Sequence, residues 1–365
     1  QSQNLMVNAG TRGLQITRAW ARMSGGPGAD SLWARMGDRV IHAAIKQAFR
    51  ILGRHFVLGD TIENARTRAR EMPDKGVTYS YDMLCEAALT MVGANRYFEA
   101  YQHAITTLAA NAPKGLAIQQ AAGLSVKLSA LHPRYEYLSR SVCVPLIVDR
   151  LKELCEIAKS AGLSLTIDAE EADRLEVSQE VFEHLLACPE LEGWNGLGMA
   201  VQAYQRRALP VIDWPRRTAA AHGRLVTCRL VKGAYWDSEI KRAQELGLDS
   251  YPVFTRKENT DLSYLACARA LLDAGDNIYP QFATHNAHSA AAIMHMAGDR
   301  RDFEFQRLHG MSDTLHNMLT EKYGVSSRVY APVGKHRDLL PYLVRRLLEN
   351  GANSSFVNQL LDPDI

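Results

Sequence analysis

Residues 225–234 read LVTCRLVKGA. The stretch is apolar enough for a buried strand, yet Arg229 sits in its middle and Lys232, Gly233 and Ala234 close it, with Tyr235 and Trp236 next. A charge inside a strand covered on both faces is costly unless it faces something polar. Seven other runs have the same build. They are VTYSYDML (77–84), GLSVKLSAL (123–131), LSLTIDAE (163–170), LGMAVQAY (197–204), IYPQFATHN (278–286), FEFQRLHG (303–310) and SSRVYAPVG (326–334). Most segments between them carry apolar residues at helical spacing, as in Val148, Leu151, Leu154, Cys155 and Ala158, or Leu262, Leu265, Ala266 and Leu272.

Alternating strands and helices predict a parallel sheet. Eight such units in about 280 residues predict a (βα)₈ barrel, which takes roughly 250. A doubly wound sheet is the rival α/β architecture, but no GxGxxG turn follows any run. In a barrel the C-terminal ends of the strands build the site. Polar or ring-bearing residues cluster at those ends: Glu86 after the first run, then Lys127, Asp168, Gln202, Arg229, Thr284-His285-Asn286, Leu308 with His309, and Tyr330.

Ahead of the barrel, residues 1–38 are irregular and broken by Gly25, Gly26, Pro27 and Gly28. Residues 39–76 read as a helical arm. One helix is expected to end near Gly59, and another, capped by Asp60 with Glu63, to run to Met72. The barrel is expected over 77–358, and 359–365 form a linker.

The formal charge is +2, from 42 basic and 40 acidic residues, which supplies no field for a dedicated nucleic-acid binder. The six cysteines include no CxxC pair and read as buried thiols of a reducing compartment, so a cytoplasmic protein is expected. The longest uncharged stretch, Asn277 to Gly298, holds too many polar residues to span a bilayer. The first twenty residues lack the apolar core of a signal peptide.

After the last run, HRDLLPYLVRRLLENGANSSF reads as a helix capped by Asp338 and ended by Gly351. Leucines and Val344 fill one half; Tyr342, Arg345, Arg346 and Glu349 share the other. By itself such a face means solvent, with an Arg345–Glu349 pair. Its other reading is a guanidinium clamp for a carboxylate or phosphate.

The strings SVKLSALHPRY (125–135), IDAEEADRLE (167–176), RLVKGAYWDSEIKRAQ (229–244), YPQFATHNAHS (279–289), RVYAPVG (328–334) and YLVRRLLENGANSSFVN (342–358) resemble the proline dehydrogenase domain of the proline utilization A family, bacterial bifunctional flavoenzymes. The likeness runs from about residue 40 to the C-terminus. It implies a distorted (βα)₈ barrel with the last helix over its mouth. It implies FAD as cofactor and oxidation of L-proline to pyrroline-5-carboxylate, with hydride passing from substrate C5 to flavin N5. For the substrate it implies Lys127, Arg345 and Arg346 on the carboxylate and Tyr235, Leu308 and Tyr330 as the wall around the ring. Glu86 and Asp168 are candidates for the proton acceptor or for balancing charge.

For the cofactor the resemblance implies Gln202 and Arg229 beside the flavin, and a contacting loop of Lys232, Gly233 and Ala234. It also implies Trp236 and Phe356 on the adenine side, further contacts from Thr284, His285 and Asn286, and Arg346 and Glu349 at the ribityl or adenosine hydroxyls. Quinone is the implied electron acceptor, with peripheral contact to the inner membrane during turnover. The ending LLDPDI resembles the linker that follows this domain, so excision from a bifunctional protein is expected, with a pyrroline-5-carboxylate dehydrogenase domain absent from this chain. Some family members carry a ribbon-helix-helix DNA-binding module. Residues 1–38 show no strand followed by two helices, so no nucleic-acid partner is expected.

Two rivals remain. Lys127 or Lys232 placed on a strand suits a Schiff-base lysine, which would make the chain a class I aldolase-like barrel. His285 and His288 have a metal-like spacing, but no acidic partner follows, and no metal is expected.

Overall fold

The computed structural model describes residues 56–72 and 77–335. Eight parallel strands close into a barrel in chain order: β1 (Val77–Met83), β2 (Gly123–Val126), β3 (Ser164–Ile167), β4 (Leu197–Gln202), β5 (Val226–Val231), β6 (Ile278–Ala283), β7 (Glu304–Leu308) and β8 (Ser326–Val333). Each lies within the run expected for it. The second and third runs yield the shortest strands, four residues each. β2 stops at Val126 and the chain turns through Leu128–Ala130. There Ser129 N donates to Glu170 Oε1 at 3.0 Å, and the Ser129 carbonyl accepts from Ala88 N at 2.8 Å.

The helices of the described residues are α1 (Ile62–Glu71), α2 (Met91–Ala109), α3 (Arg140–Ser160), α4 (Leu175–Ala187), α5 (Ala208–Ala221), α6 (Trp236–Glu245), α7 (Lys257–Leu272), α8 (Ala287–Ala297) and α9 (Asp313–Tyr323). None is long and apolar enough to cross a membrane. α1 starts one residue later than expected. Its cap is Thr61, whose hydroxyl accepts from Asn64 N, and not Asp60. The expected helix over 39–58 lies almost wholly outside the described residues, as do 1–38 and the last helix with Arg345, Arg346, Glu349 and Phe356.

Strand residues alternate between two environments. Outward side chains such as Tyr81, Leu124, Leu165, Leu230, Phe282, Phe305 and Val329 are buried against the helices. Each such side chain contributes roughly 1.5–3 kcal/mol of burial. The apolar core is therefore a ring outside the sheet. Inside the barrel, where bulky branched residues usually pack, the chain places polar ones. Near the N-terminal ends, Glu304 accepts from Arg328 Nε at 2.7 Å, Gln306 at 2.7 Å and Gln281 at 2.9 Å. Arg328 also donates to the carbonyls of Ala121 and Gln119. In the middle, Ser80 and Ser125 share a 2.9 Å hydrogen bond. β1 pairs with β8 along its whole length, from Val77↔Ser327 to Met83↔Val333, and this seam closes the barrel.

Candidate active site

Above the serines lies a quartet of charges. Asp82 points inward from β1, Lys127 and Asp168 follow β2 and β3, and Arg229 rises from β5. Lys127 Nζ is 2.9 Å from Asp82 Oδ1 and 3.6 Å from Asp168 Oδ2. Arg229 Nη1 donates to Asp168 Oδ1 at 2.7 Å, and its Nη2 donates to Ser125 Oγ at 3.0 Å and Ser80 Oγ at 3.3 Å. Tyr330 OH donates to the other oxygen of Asp168 at 2.7 Å, and its ring lies 5.2 Å from the Arg229 guanidinium.

Burial disfavours the Lys127 ammonium, but Asp82 and Asp168 more than offset this, and its pKa moves up. Burial and then the charge of Asp168 push the Asp82 carboxyl up against the opposing pull of Lys127. Both directions agree that Lys127 keeps its proton and that acid reaches the carboxylate side of the pair first. A Schiff-base lysine needs a depressed pKa, so the geometry opposes that rival at Lys127. Burial also raises the Tyr330 phenol well above its ordinary value, with Asp168 adding to it.

The cofactor candidates gather at the ends of β4, β5 and β6. Gln202 Nε2 donates to the Glu170 carbonyl at 2.7 Å, and its Oε1 accepts from Ala234 N at 3.3 Å. Its amide thus ties the loop after β3 to the loop after β5. Gly233 has φ +146°, and a Cβ there would overlap the Tyr204 ring, so only glycine fits this turn. Lys232 pairs with Asp261 on α7, which also holds Lys257 at 2.9 Å. Trp236, the first residue of α6, is 42% exposed and donates to the Phe254 carbonyl. Thr284 Oγ1 accepts from Asn286 N, and the Asn286 side chain caps α8 by accepting from Ser289 N. His285 Nε2 accepts from Leu308 N at 3.0 Å. His288 is exposed, and no group of three or more metal-ligating side chains forms among the described residues.

Among the substrate candidates, the structure brings together Lys127, Asp168 and Tyr330, with Tyr235 near enough to influence Lys127. Leu308 and Tyr330 are neighbours in the β7–β8 register. Glu86 is half-buried beyond the end of β1. Sequence reading missed Asp82, the nearer acid, although alternation along VTYSYDML puts Ser80 and Asp82 on one face. It also missed Asp261, which comes from a helix and reaches the strand ends only through its pair with Lys232.

Residues 65–359 match the family model for proline dehydrogenase. The chain belongs to the proline dehydrogenase family. Residues 1–56, unrecognised in the sequence reading as far as residue 38, match a second model, described as the DNA-binding domain of proline dehydrogenase. Bifunctional protein PutA of Salmonella typhimurium is 48% identical over 376 residues, which take in 99% of this chain and 28% of that protein. Proline dehydrogenase 1 of Bacillus subtilis is 28% identical over 312 residues, 84% of this chain and 90% of its own. The solved structure of Bradyrhizobium japonicum proline utilization A superposes with a TM-score of 0.80 at 54% identity, covering 91% of this chain and 34% of that one. That of Bdellovibrio bacteriovorus proline utilization A, inactivated by N-propargylglycine, gives 0.81 at 31% identity, covering 87% and 34%. The resemblance carried by the strand-end motifs is thus borne out, and the chain spans about 28% of the Salmonella relative.

Proposed function

We propose that this chain oxidises L-proline to pyrroline-5-carboxylate with FAD, as the first step of proline breakdown. The observation that carries the reading is the charged Lys127 held at the barrel mouth beside Arg229 and the Tyr330 ring, in a chain of the proline dehydrogenase family. The residues present fit a flavin dinucleotide. Arg229 Nε is buried with no hydrogen-bond acceptor among the described residues. The Gly233 turn packs on the Tyr204 ring, and the neighbouring Lys232 offers a cation to a pyrophosphate. Bound FAD would supply a hydride acceptor, and Arg229 would stabilise the negative charge of its reduced ring.

Lys127, with Arg345 and Arg346 of the last helix, neutralises the substrate carboxylate. Tyr235, Leu308 and Tyr330 enclose the five-membered ring. Holding the ring in one orientation is worth several kcal/mol. The ring amine must be deprotonated before or as C5 loses hydride, because a protonated nitrogen has no lone pair to form the C=N bond. Asp168 and Glu86 are the candidate acceptors. Cofactor contacts from Gln202, Ala234, Trp236, Thr284, His285, Asn286, Glu349 and Phe356 belong to the same proposal. So do quinone as final acceptor, peripheral inner-membrane contact, and a fused pyrroline-5-carboxylate dehydrogenase domain.

The test is the visible spectrum before and after anaerobic L-proline. A flavin spectrum that bleaches with L-proline but not D-proline supports the reading. A protein that takes up no FAD sinks it and returns the Schiff-base barrel. The match of residues 1–56 to the DNA-binding model favours a second reading, against the expectation of no nucleic-acid partner. A salt-dependent mobility shift with duplex DNA decides between them.

A further inference from the structure

The mouth quartet is neutral, two acids against two bases, but its acids are used differently. Asp168 spends one oxygen on Arg229 at 2.7 Å and the other on Tyr330 at 2.7 Å, leaving Lys127 at 3.6 Å, beyond a hydrogen bond. Among the described residues, Asp82 makes the one close ion pair to Lys127, at 2.9 Å, from a side chain only 2% exposed. From the reading of Lys127 as the carboxylate-binding cation, we propose that Asp82 is a positioning residue for substrate binding. Its charge, from the buried side of the mouth, keeps Lys127 an ammonium with its Nζ fixed between β1 and β3.

The surroundings leave most of that task to Asp82, with Asp168 the weaker and more distant contributor. Among the described residues, Tyr235 from the loop after β5 also influences Lys127, while Tyr330 from β8 and Arg229 from β5 share its second acid, Asp168. Tyr101 of α2 accepts from the Lys127 backbone N–H at 3.2 Å. Cys85, beyond β1, is close enough to affect Tyr101. Neutral phenols and a thiol do not replace a carboxylate, and Arg229 opposes a second cation. Burial alone drives a lysine towards neutrality. Without the charge of Asp82, the acid that remains near Lys127 among the described residues is the more distant Asp168, already bonded to Arg229 and Tyr330, so Lys127 should release its proton at lower pH than in the wild type.

This differs from a structural role in a way that can be measured. Removing a negative charge beside the site favours an incoming carboxylate as long as Lys127 stays protonated, and abolishes its binding once the proton leaves. Asp82→Asn keeps shape and one acceptor oxygen. Its affinity for a carboxylate should match or exceed wild type near neutrality and fall below it in alkali, so that the two profiles cross.

The probe is cyclopentanecarboxylate, which has no amine to titrate, followed by calorimetry on the purified protein as it stands. From about pH 7 to about pH 9.5, wild-type affinity should change less than about twofold, while Asp82→Asn weakens about tenfold or more. Asp82→Glu, which keeps the charge, should restore a flat profile. Lys127→Met should bind weakly at every pH. If Lys127→Met binds like wild type, the reading of Lys127 fails and the proposal with it. If Lys127→Met is weak but the Asp82→Asn profile runs parallel to wild type, the reading stands and the proposal is overturned. Should Asp82→Asn not fold, the wild-type and Asp82→Glu profiles decide: an alkaline break in either overturns the role of Asp82.

Discussion

Arg229 and Asp168 meet at 2.7 Å across the barrel mouth although their strands, β5 and β3, are not neighbours. The bond passes over β4, and both side chains are at most 10% exposed. Removing one partner leaves a buried charge. Asp168→Ala should therefore cost about 3–5 kcal/mol. The check is the urea midpoint, with loss of proline-dependent flavin bleaching measured beside it. A midpoint within error of wild type would mean that solvent replaces Asp168 at no cost.

Gly233→Ala should reduce flavin retention. The side chain is forced to φ +146° and onto the Tyr204 ring. The backbone strain alone is roughly 1–3 kcal/mol. The flavin-to-protein absorbance ratio after gel filtration reads the loss, and an unchanged ratio would remove this turn from cofactor binding.

His316 predicts a loss of stability in mild acid. It is fully buried beneath the ends of β6 and β8. Nε2 lies 3.0 Å from the Thr284 carbonyl, which only accepts, so Nε2 carries the proton and Nδ1 accepts from Ser327 Oγ at 2.8 Å. Burial lowers its pKa to about 4. Because the folded value is depressed, the contribution is complete above the unfolded value of 6.5 and disappears as pH falls towards 4. The difference is about 3 kcal/mol. His316→Asn should flatten that part of the stability profile, as measured by urea unfolding from neutral pH downward.

Tyr330→Ser should relax the choice between proline and hydroxyproline, since the Tyr330 ring is the proposed wall where an added hydroxyl would clash. It also frees the Asp168 oxygen now bonded to the phenol. Relative kcat/KM for the two substrates is the measurement, and an unchanged ratio removes Tyr330 from this role.

Arg345→Met should weaken substrate binding while flavin stays bound. KM for L-proline and the flavin spectrum of the same preparation check this together. Loss of flavin instead would mean that the polar face of the last helix serves the cofactor.

The barrel was legible because each strand repeats one local pattern, an apolar run that ends in polar residues. Arg229 stood out as a charge in apolar surroundings. Asp82 did not, since it sits beside two tyrosines and a serine in a run that also reads as an exposed strand, and Glu86 drew attention by following the run. Only the pairing of β1 with β2 identifies Asp82 as the partner of Lys127. The polar interior was partly visible. Lys127, Asp168 and Arg229 marked the mouth, but nothing local tells Glu304 and Arg328 from surface charges until β7 and β8 pair. Thr61 replaces Asp60 as the cap because its hydroxyl is the one that reaches Asn64 N.

The seam between β1 and β8 has a consequence for synthesis. Thr78 and Ser327, hydrogen-bonded across it, are 249 positions apart in the chain. At ribosomal speeds of about 5–20 residues per second, β1 waits on the order of 10–50 s for its second neighbour. During that interval the charges of the interior face an open cleft and are still hydrated. The nascent sheet thus has a wet inner face and one free edge, and it becomes a closed cylinder only when β8 emerges.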